Sequence, residues 1–220
     1  MTKREIKVQQ NTPGWYKARL GIPTMSKMSI LMMDRSTTGY RNYVINTALE
    51  RITGKRTETF RGDAMEWGHR VEPLAAARYS IKEGIELREC GIYYDSELHA
   101  GASPDRIVVG RNRGVQFKAP EQAAHLHYWE TKQIPSDYRW QMVGEVLVAG
   151  LEDEDFCSFN PDFPPELQLL TIPLHPTENE LDTAQMAIDR FNHDVDQTVA
   201  KIRKLGLTPV ADKKTLVTTQ

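Results

Sequence analysis

The chain has 220 residues, of which 40% are hydrophobic and 26% charged, with a formal net charge of -2; that is enough for one domain with a buried core and too apolar for a disordered chain. The near-neutral balance and a pI of about 6.3 exclude a generic basic coat for nucleic acid, although local clusters govern binding more than the sum does. Two cysteines are too few for a disulfide framework, no apolar run reaches membrane-span length, and the opening M-T-K-R-E-I-K-V-Q-Q carries no apolar signal core, so a reducing cytoplasm is the expected setting.

The first third reads as helices and loops. Between Ser36 and Thr53, residues Tyr40, Val44, Ala48 and Ile52 recur at four-residue steps, the mark of one buried helix face. The basic stretch that follows holds Arg51, Lys55, Arg56 and Arg61; it is either a solvated loop or a contact for a polyanion. Asp63 with Glu66 resembles a capping box opening D-A-M-E-W-G-H-R-V-E-P-L-A-A-A-R-Y-S-I. Trp67, Val71, Leu74 and Ile81 can share its face. Pro73 inside that helix costs about 3 kcal/mol and predicts a kink beside Glu72.

The middle turns to strands. C-G-I-Y-Y-D, G-A-S-P-D-R-I-V-V-G and G-V-Q-F-K-A-P are short and β-rich, with R-N-R-G as a hairpin turn between the last two. His125 and His127 read as loop residues, and no histidine shows metal-ligand spacing. P-S-D-Y-R-W-Q-M-V-G-E-V-L-V-A returns to helix, with Ser136 or Asp137 as its cap. D-F-C-S-F-N-P and L-Q-L-L-T-I-P-L are two more strands. Thr177 with Glu180 makes a capping box for a last helix whose stripe of Leu181, Ala184, Ile188, Phe191, Val195 and Ile202 is core packing. This order gives a mixed α/β domain with a central sheet flanked by helices. It contains no Gly-rich phosphate loop and no Gly-x-Ser-x-Gly elbow.

One pairing carries chemistry. Pro104-Asp105 precedes Gln116-Phe117-Lys118 across the predicted hairpin. Alternation along a strand turns Gln116 and Lys118 to one face and Phe117 to the core. With Asp105 opposite them, an acidic group, an amide and an ammonium converge, and the Phe117 carbonyl lies nearby. Hard divalent cations take such oxygen clusters, and a lysine beside one can hold a water. Alone the pattern is common enough to be a structural hairpin.

Three further blocks stand in order around this A-S-P-D with Q-F-K-A-P pair: G-W-Y-K-A-R-L-G-I-P-T-M-S and E-W-G-H-R-V-E-P before it and D-Y-R-W-Q after it. Together they resemble the phage lambda-type exonuclease family, the viral recombinase branch of the PD-(D/E)xK nucleases, over most of the chain. The resemblance implies a restriction-endonuclease-like core forming a single exonuclease domain over residues 1–220. It implies two Mg2+ ions per site, with Mn2+ as a substitute. Asp105 would bridge the ions, residue 116 and the Phe117 carbonyl would bind one, Glu72 would serve the second, and Lys118 would position the attacking water. Arg19, Ser26, Ser103 and Gln141 match positions that hold the 5′-phosphate, and Met65 matches an apolar wedge at the terminal base pair. Arg51, Lys55, Arg56 and Arg61 are then candidates to line a DNA channel. The activity implied is 5′→3′ digestion of double-stranded DNA ends to 3′ overhangs, by a homotrimer working with a single-strand annealing protein, encoded by a phage or prophage and acting in the bacterial cytoplasm with no membrane attachment.

The departure is Gln116, where the family has glutamate. Glutamine keeps the size and one acceptor oxygen, loses the charge and adds an NH2 donor. It predicts weaker metal binding and a low-activity chain, whether the amide replaces a parent glutamate or is natural. The alternatives are an endonuclease of the same superfamily and a catalytically silent DNA-end-binding module.

Overall fold

A computed structural model describes residues 3–57 and 63–206, with the side chains of 63–65 excepted. Strand β1 (Lys3–Ile6) and the short helix α1 (Pro13–Ala18) lead through a 3-10 turn and the four-residue α2 (Met28–Leu31) to α3 (Thr38–Thr53) and α4 (Asp63–Glu83). Then come β2 (Leu87–Arg88), β3 (Ile92–Asp95), β4 (Ala100–Ala102), β5 (Arg106–Val108) and β6 (Arg113–Lys118). Helices α5 (Gln122–Thr131) and α6 (Ser136–Ala149), strands β7 (Asp153–Phe159) and β8 (Leu169–Leu174), and α7 (Glu178–Lys204) complete the order.

The strands form two sheets. An antiparallel three-stranded sheet runs β1-β3-β4, and a five-stranded sheet runs β2-β5-β6-β7-β8. Only β6 and β7 pair in parallel within the larger sheet, which makes it mixed. The stretch expected as one strand from Gly101 to Gly110 is two strands in two different sheets, parted at Ser103-Pro104-Asp105. Proline has no N–H for a ladder and restricts the residue before it, so the break falls where the chain crosses from one sheet to the other.

Period-two alternation divides β6 and β7 between two cores. Val115, Phe117, Cys157 and Phe159 face α4, where they pack against Val71, Ala75, Ala76 and Tyr79. Phe156 faces the other way, into a larger core with Met142 and Val143 of α6 and Ile188 and Phe191 of α7. Gln116 and Glu154 lie on that second side by the same alternation. The sheet is thus covered on both faces, as a parallel pair at its centre requires.

Local signals hold well for two helices. Tyr40, Val44, Ala48 and Ile52 are all buried on α3, which opens on the Thr37 side chain and closes on Gly54 in the left-handed region at φ 64°. Helix α7 shows both halves of the Thr177–Glu180 capping box, and its stripe is buried from Ala184 to Val195. The pair is tied by side chains: Arg35 and Tyr40 both reach Asp194, and the Arg51 guanidinium reaches the Gly21 carbonyl, Asn192 and Asp196.

Elsewhere the structure corrects the expectations. The first strand, β1, carries no periodic signal and exists because β3 pairs with it. His125 and His127 lie on helix α5, with His125 fully buried between Ser158 and the Leu167 carbonyl. Helix α6 begins after Pro135, and neither Ser136 nor Asp137 serves as its cap. On α4 the buried face is Val71, Ala75, Ala76 and Tyr79, while Leu74 and Ile81 are exposed. Pro73 lies inside the helix, which continues past it to Glu83. The Asp63–Glu66 capping box lies outside the described residues.

Gly91 sits at the closest approach of two strands. A Cβ there would overlap the Ile6 carbonyl oxygen and stand 2.9 Å from the Val8 nitrogen, both backbone atoms that cannot swing aside. Gly91→Ala is therefore expected to peel β1 from β3 and cost about 1–3 kcal/mol. Urea unfolding checks this; an unchanged midpoint would show that β1 contributes nothing to the stability of the domain.

Candidate active site

Asp105 stands one residue ahead of β5 rather than on it. The ladder pairs Arg106 with Val115 and Ile107 with Gly114, so the same register brings Asp105 opposite Gln116. One oxygen, Asp105 Oδ2, accepts from Gln116 Nε2 and from the Phe117 backbone N–H, each at 2.7 Å. Burial, and next the nearby Glu72 carboxylate, push the Asp105 pKa up to about 7 against the opposing influence of Lys118 and the Phe117 N–H. Gln116 is 3% exposed, and its Oε1 has no hydrogen-bond partner. A buried acceptor left alone costs roughly 1–3 kcal/mol. A cation would satisfy it, which makes Asp105, Gln116 Oε1 and the Phe117 carbonyl a set that fits one hard divalent ion.

Lys118 lies on the same strand face. Its Nζ is 3.4 Å from Gln141 Oε1 and 4.7 Å from the Tyr138 ring centre. Gln141 in turn donates from Nε2 to Glu145 Oε1 at 3.0 Å. An amide nitrogen carries two hydrogens, so one remains for another acceptor. Glu145 and Glu154, which the sequence reading passed over, are a buried acid pair beneath this chain, 1% and 0% exposed. Burial raises both pKa values; for Glu154 the Glu145 charge raises it further, and for Glu145 a hydrogen bond from Gln141 opposes the rise. The signal available in the sequence was an acid in the apolar run V-G-E-V-L-V. Gly114 makes the room: a Cβ there would lie 3.1 Å from Glu154 Cγ.

Arg19 follows α1 and sits over the Trp15 ring, 4.0 Å from its centre. Its Nη2 donates to Thr24 Oγ1 at 3.0 Å and Ser26 Oγ at 3.1 Å. Burial lowers its pKa from the ordinary value, yet a guanidinium stays charged throughout the working range. Trp15 Nε1 donates to Ser103 Oγ at 3.3 Å, which links Arg19 to the residue two before Asp105. Ser103 donates to the Gly91 carbonyl at 2.8 Å while accepting from Trp15, so it braces the Trp15 ring.

Glu72 faces the same junction from α4, but it is engaged. Arg106 Nη1 donates to Glu72 Oε1 and to the Asp105 carbonyl, both at 2.6 Å. Among the described residues no group of three or more histidines, cysteines or acids is arranged to hold a metal. Of the basic stretch, the Arg51 guanidinium bonds the Gly21 carbonyl, Asn192 and Asp196; Arg56 covers the Tyr16 ring at 3.9 Å, and Lys55 is exposed. Arg61 and the Met65 side chain lie outside the described residues.

The mixed sheet, with Asp105 at its entry and Gln116 and Lys118 on its central strand, has the lambda-exonuclease-like nuclease fold. It superposes with a TM-score of 0.81 on an alkaline exonuclease, LHK-Exo, from Laribacter hongkongensis, at 24% identity over 89% of this chain and 98% of that one. The same enzyme in complex with dAMP gives a TM-score of 0.81, 25% identity and the same coverage. A phage related exonuclease from Haemophilus somnus gives 0.67 at 14% identity, over 82% of this chain and 96% of that one. No curated protein sequence matches the chain. Residues 14–152 match the YqaJ-like viral recombinase domain, and the chain belongs to that family.

The buried acid pair sets a pH dependence. A carboxyl whose folded pKa is raised holds its proton in the native state at pH values where the unfolded chain has released it. Stability is then greatest below the ordinary carboxylate pKa of about 4.3 and falls as pH climbs toward the folded value. Glu154→Gln removes one of these groups while leaving a donor for Glu145. Its melting temperature relative to the parent is expected to rise steadily from pH 5 to pH 9. A difference that stays flat across that range would mean the pair does not hold a proton in the fold.

Proposed function

We propose that the chain is a metal-dependent deoxyribonuclease, one domain over residues 1–220, that digests one strand of duplex DNA from its 5′ end and leaves a 3′ single-stranded overhang. The observation that carries the reading is the joining of two clusters. Arg19 with Ser26 forms a cation-and-hydroxyl clamp suited to a phosphate, and Trp15 and Ser103 connect it to the approach to Asp105. Membership of the viral recombinase family and the exonuclease fold support the same reading. No helix among the described residues is long and apolar enough to cross a membrane.

In this mechanism Asp105, Gln116 Oε1 and the Phe117 carbonyl would hold a divalent ion, Mg2+ with Mn2+ as a substitute. When bound, it supplies Lewis acidity toward water and a phosphoryl oxygen. Lys118, fixed between the Tyr138 ring and Gln141, orients the attacking water in line with the scissile phosphorus. Arg19, Ser26 and the second N–H of Gln141 hold the terminal 5′-phosphate, with Ser103 as their brace. No covalent enzyme intermediate forms. The product overhang is the substrate of a single-strand annealing partner, and a ring of three chains around the duplex accounts for retention of DNA without a basic surface. A phage or prophage gene acting in the bacterial cytoplasm fits this role.

The Gln116–Asp105 hydrogen bond favours a second reading: the same DNA-end recognition with little turnover. Linear 5′-phosphorylated duplex and closed circular duplex, each given Mg2+, separate these readings from an endonuclease. Digestion of the linear form alone is expected, with Gln116→Glu faster by about tenfold, or ~1.4 kcal/mol of barrier. Cutting of the circle would assign an endonuclease; release of no nucleotides by either chain would leave only an end-binding module.

The clamp has its own test. Arg19→Ala should raise KM for 5′-phosphorylated ends about 10- to 100-fold, the equivalent of a charge-assisted hydrogen bond worth ~1.5–3 kcal/mol, and leave 5′-hydroxyl ends nearly unaffected. Equal losses on both ends would show that Arg19 supports the fold around Trp15 and does not read the phosphate.

A further inference from the structure

The resemblance implies two divalent ions, one of them served by Glu72, and Glu72 already has a cation. We infer that this chain binds one divalent ion per protomer and that the Arg106 guanidinium stands in the place of the second. The inference rests on the nuclease reading given above for its meaning, though not for its measurement.

Three observations carry it. The first is contact. Arg106 Nη1 is 2.6 Å from both Glu72 Oε1 and the Asp105 carbonyl oxygen, so it bridges the helix α4 acid and the backbone of the central acid. A second ion between Asp105 and Glu72 would have to share that position with a like charge. The second is anchorage. Arg106 is the first residue of β5 and pairs with Val115, beside Gln116, so its backbone is fixed by the sheet. Its side chain is 13% exposed and that of Glu72 21%, which shields the pair from solvent and salt. A guanidinium cannot release its proton to make way for a metal. The third is the charge available. Gln116 is neutral, and the two carboxyl groups of Asp105 and Glu72 face the two cations Lys118 and Arg106. With Glu72 taken by Arg106, one carboxylate, that of Asp105, remains beside the neutral Gln116 and the Phe117 carbonyl, a set for one dication and not for a pair.

Glu72 is then a positioning residue. It orients Arg106, whose Nη2 among the described residues lies 3.8 Å from the exposed Glu89 carboxylate. The Nη2 hydrogens can meet the negative charge of a phosphodiester, the task a second ion performs in two-metal sites. The amide at 116 and the arginine at 106 act in the same direction, each lowering the site's demand for metal.

Mn2+ titration of the full chain without DNA, followed by electron paramagnetic resonance and by calorimetry, reads the stoichiometry directly. One Mn2+ per chain is expected for the parent and for Arg106→Lys, which keeps the cation. Arg106→Gln together with Gln116→Glu releases Glu72 and restores a carboxylate, and two Mn2+ are expected there. Thermal melts of each variant confirm that the counts come from folded protein; if the double variant does not fold, Arg106→Gln alone should still bind a second, weaker Mn2+. Two ions on the parent, or none, would overturn the inference. So would a folded Arg106→Gln chain that keeps a single ion. A parent that binds one Mn2+ yet digests no DNA would remove the nuclease reading and leave the ion count standing, whereas a parent that digests DNA with two ions bound would do the reverse.

Discussion

A single carboxylate oxygen, Asp105 Oδ2, is where the two sheets and the site become one structure. It accepts from the Gln116 amide and the Phe117 N–H at 2.7 Å each, just where the chain leaves β4 and enters β5. Hydrogen bonds to a charged acceptor contribute about 1.5–3 kcal/mol apiece, enough to fix a crossing that has no ladder of its own. Pro104 forces the crossing by ending the first strand, and Cys90 and Gln10 hold the Pro104 carbonyl in place. The geometry of the site follows: Gln116, Phe117 and Lys118 are set by their strand, and Asp105 is brought to them by register.

The central strands then separate two kinds of environment. Toward α4 the side chains are apolar, with Tyr79 and Phe117 meeting edge to face at 6.1 Å. Toward α6 the apolar core around Phe156 and Met142 also carries a strip of buried polar groups. Lys118, Gln141, Glu145 and Glu154 make a continuous line from the site into the core. In water such a line would be worth little, but burial strengthens every interaction within it and penalises any member left unpaired. Lys118 and Arg19 both lower the Glu145 pKa against the effect of burial, so the two cations share one acidic counterweight. Gly114 is what permits this, because any side chain there would displace Glu154.

What could be read in the sequence was whatever repeats or abuts. The faces of α3 and α7 show in four-residue steps, and the approach of Asp105 to Gln116 shows in the hairpin spacing. Helix α4 was misread because its apolar residues run around more than one side: Leu74 and Ile81 keep seven-residue steps from Trp67, yet small residues, Ala75 and Ala76, are what fit against the sheet. The Arg106–Glu72 bond was invisible for a different reason. Its partners are 34 residues apart, and nothing in either neighbourhood marks the other. Ser103 shows the same limit in reverse. Its position matched a phosphate ligand, and only the fold reveals that its hydroxyl donates to the Gly91 carbonyl.

Gln116 is best understood within this balance of charge. A carboxylate in its place would set two acceptor oxygens against each other where Asp105 Oδ2 now accepts a hydrogen bond, and only a bound cation or a shared proton could relieve the clash. The amide removes that demand. With Arg106 on Glu72 and Gln116 on Asp105, both acids are paired before any metal arrives, while Gln116 Oε1 is buried with no hydrogen-bond partner. Metal binding must then compete with internal bonds already made. A site with carboxylates at both positions would use its ions to hold itself together. This one is held by its own side chains, so its folded geometry does not depend on a bound metal.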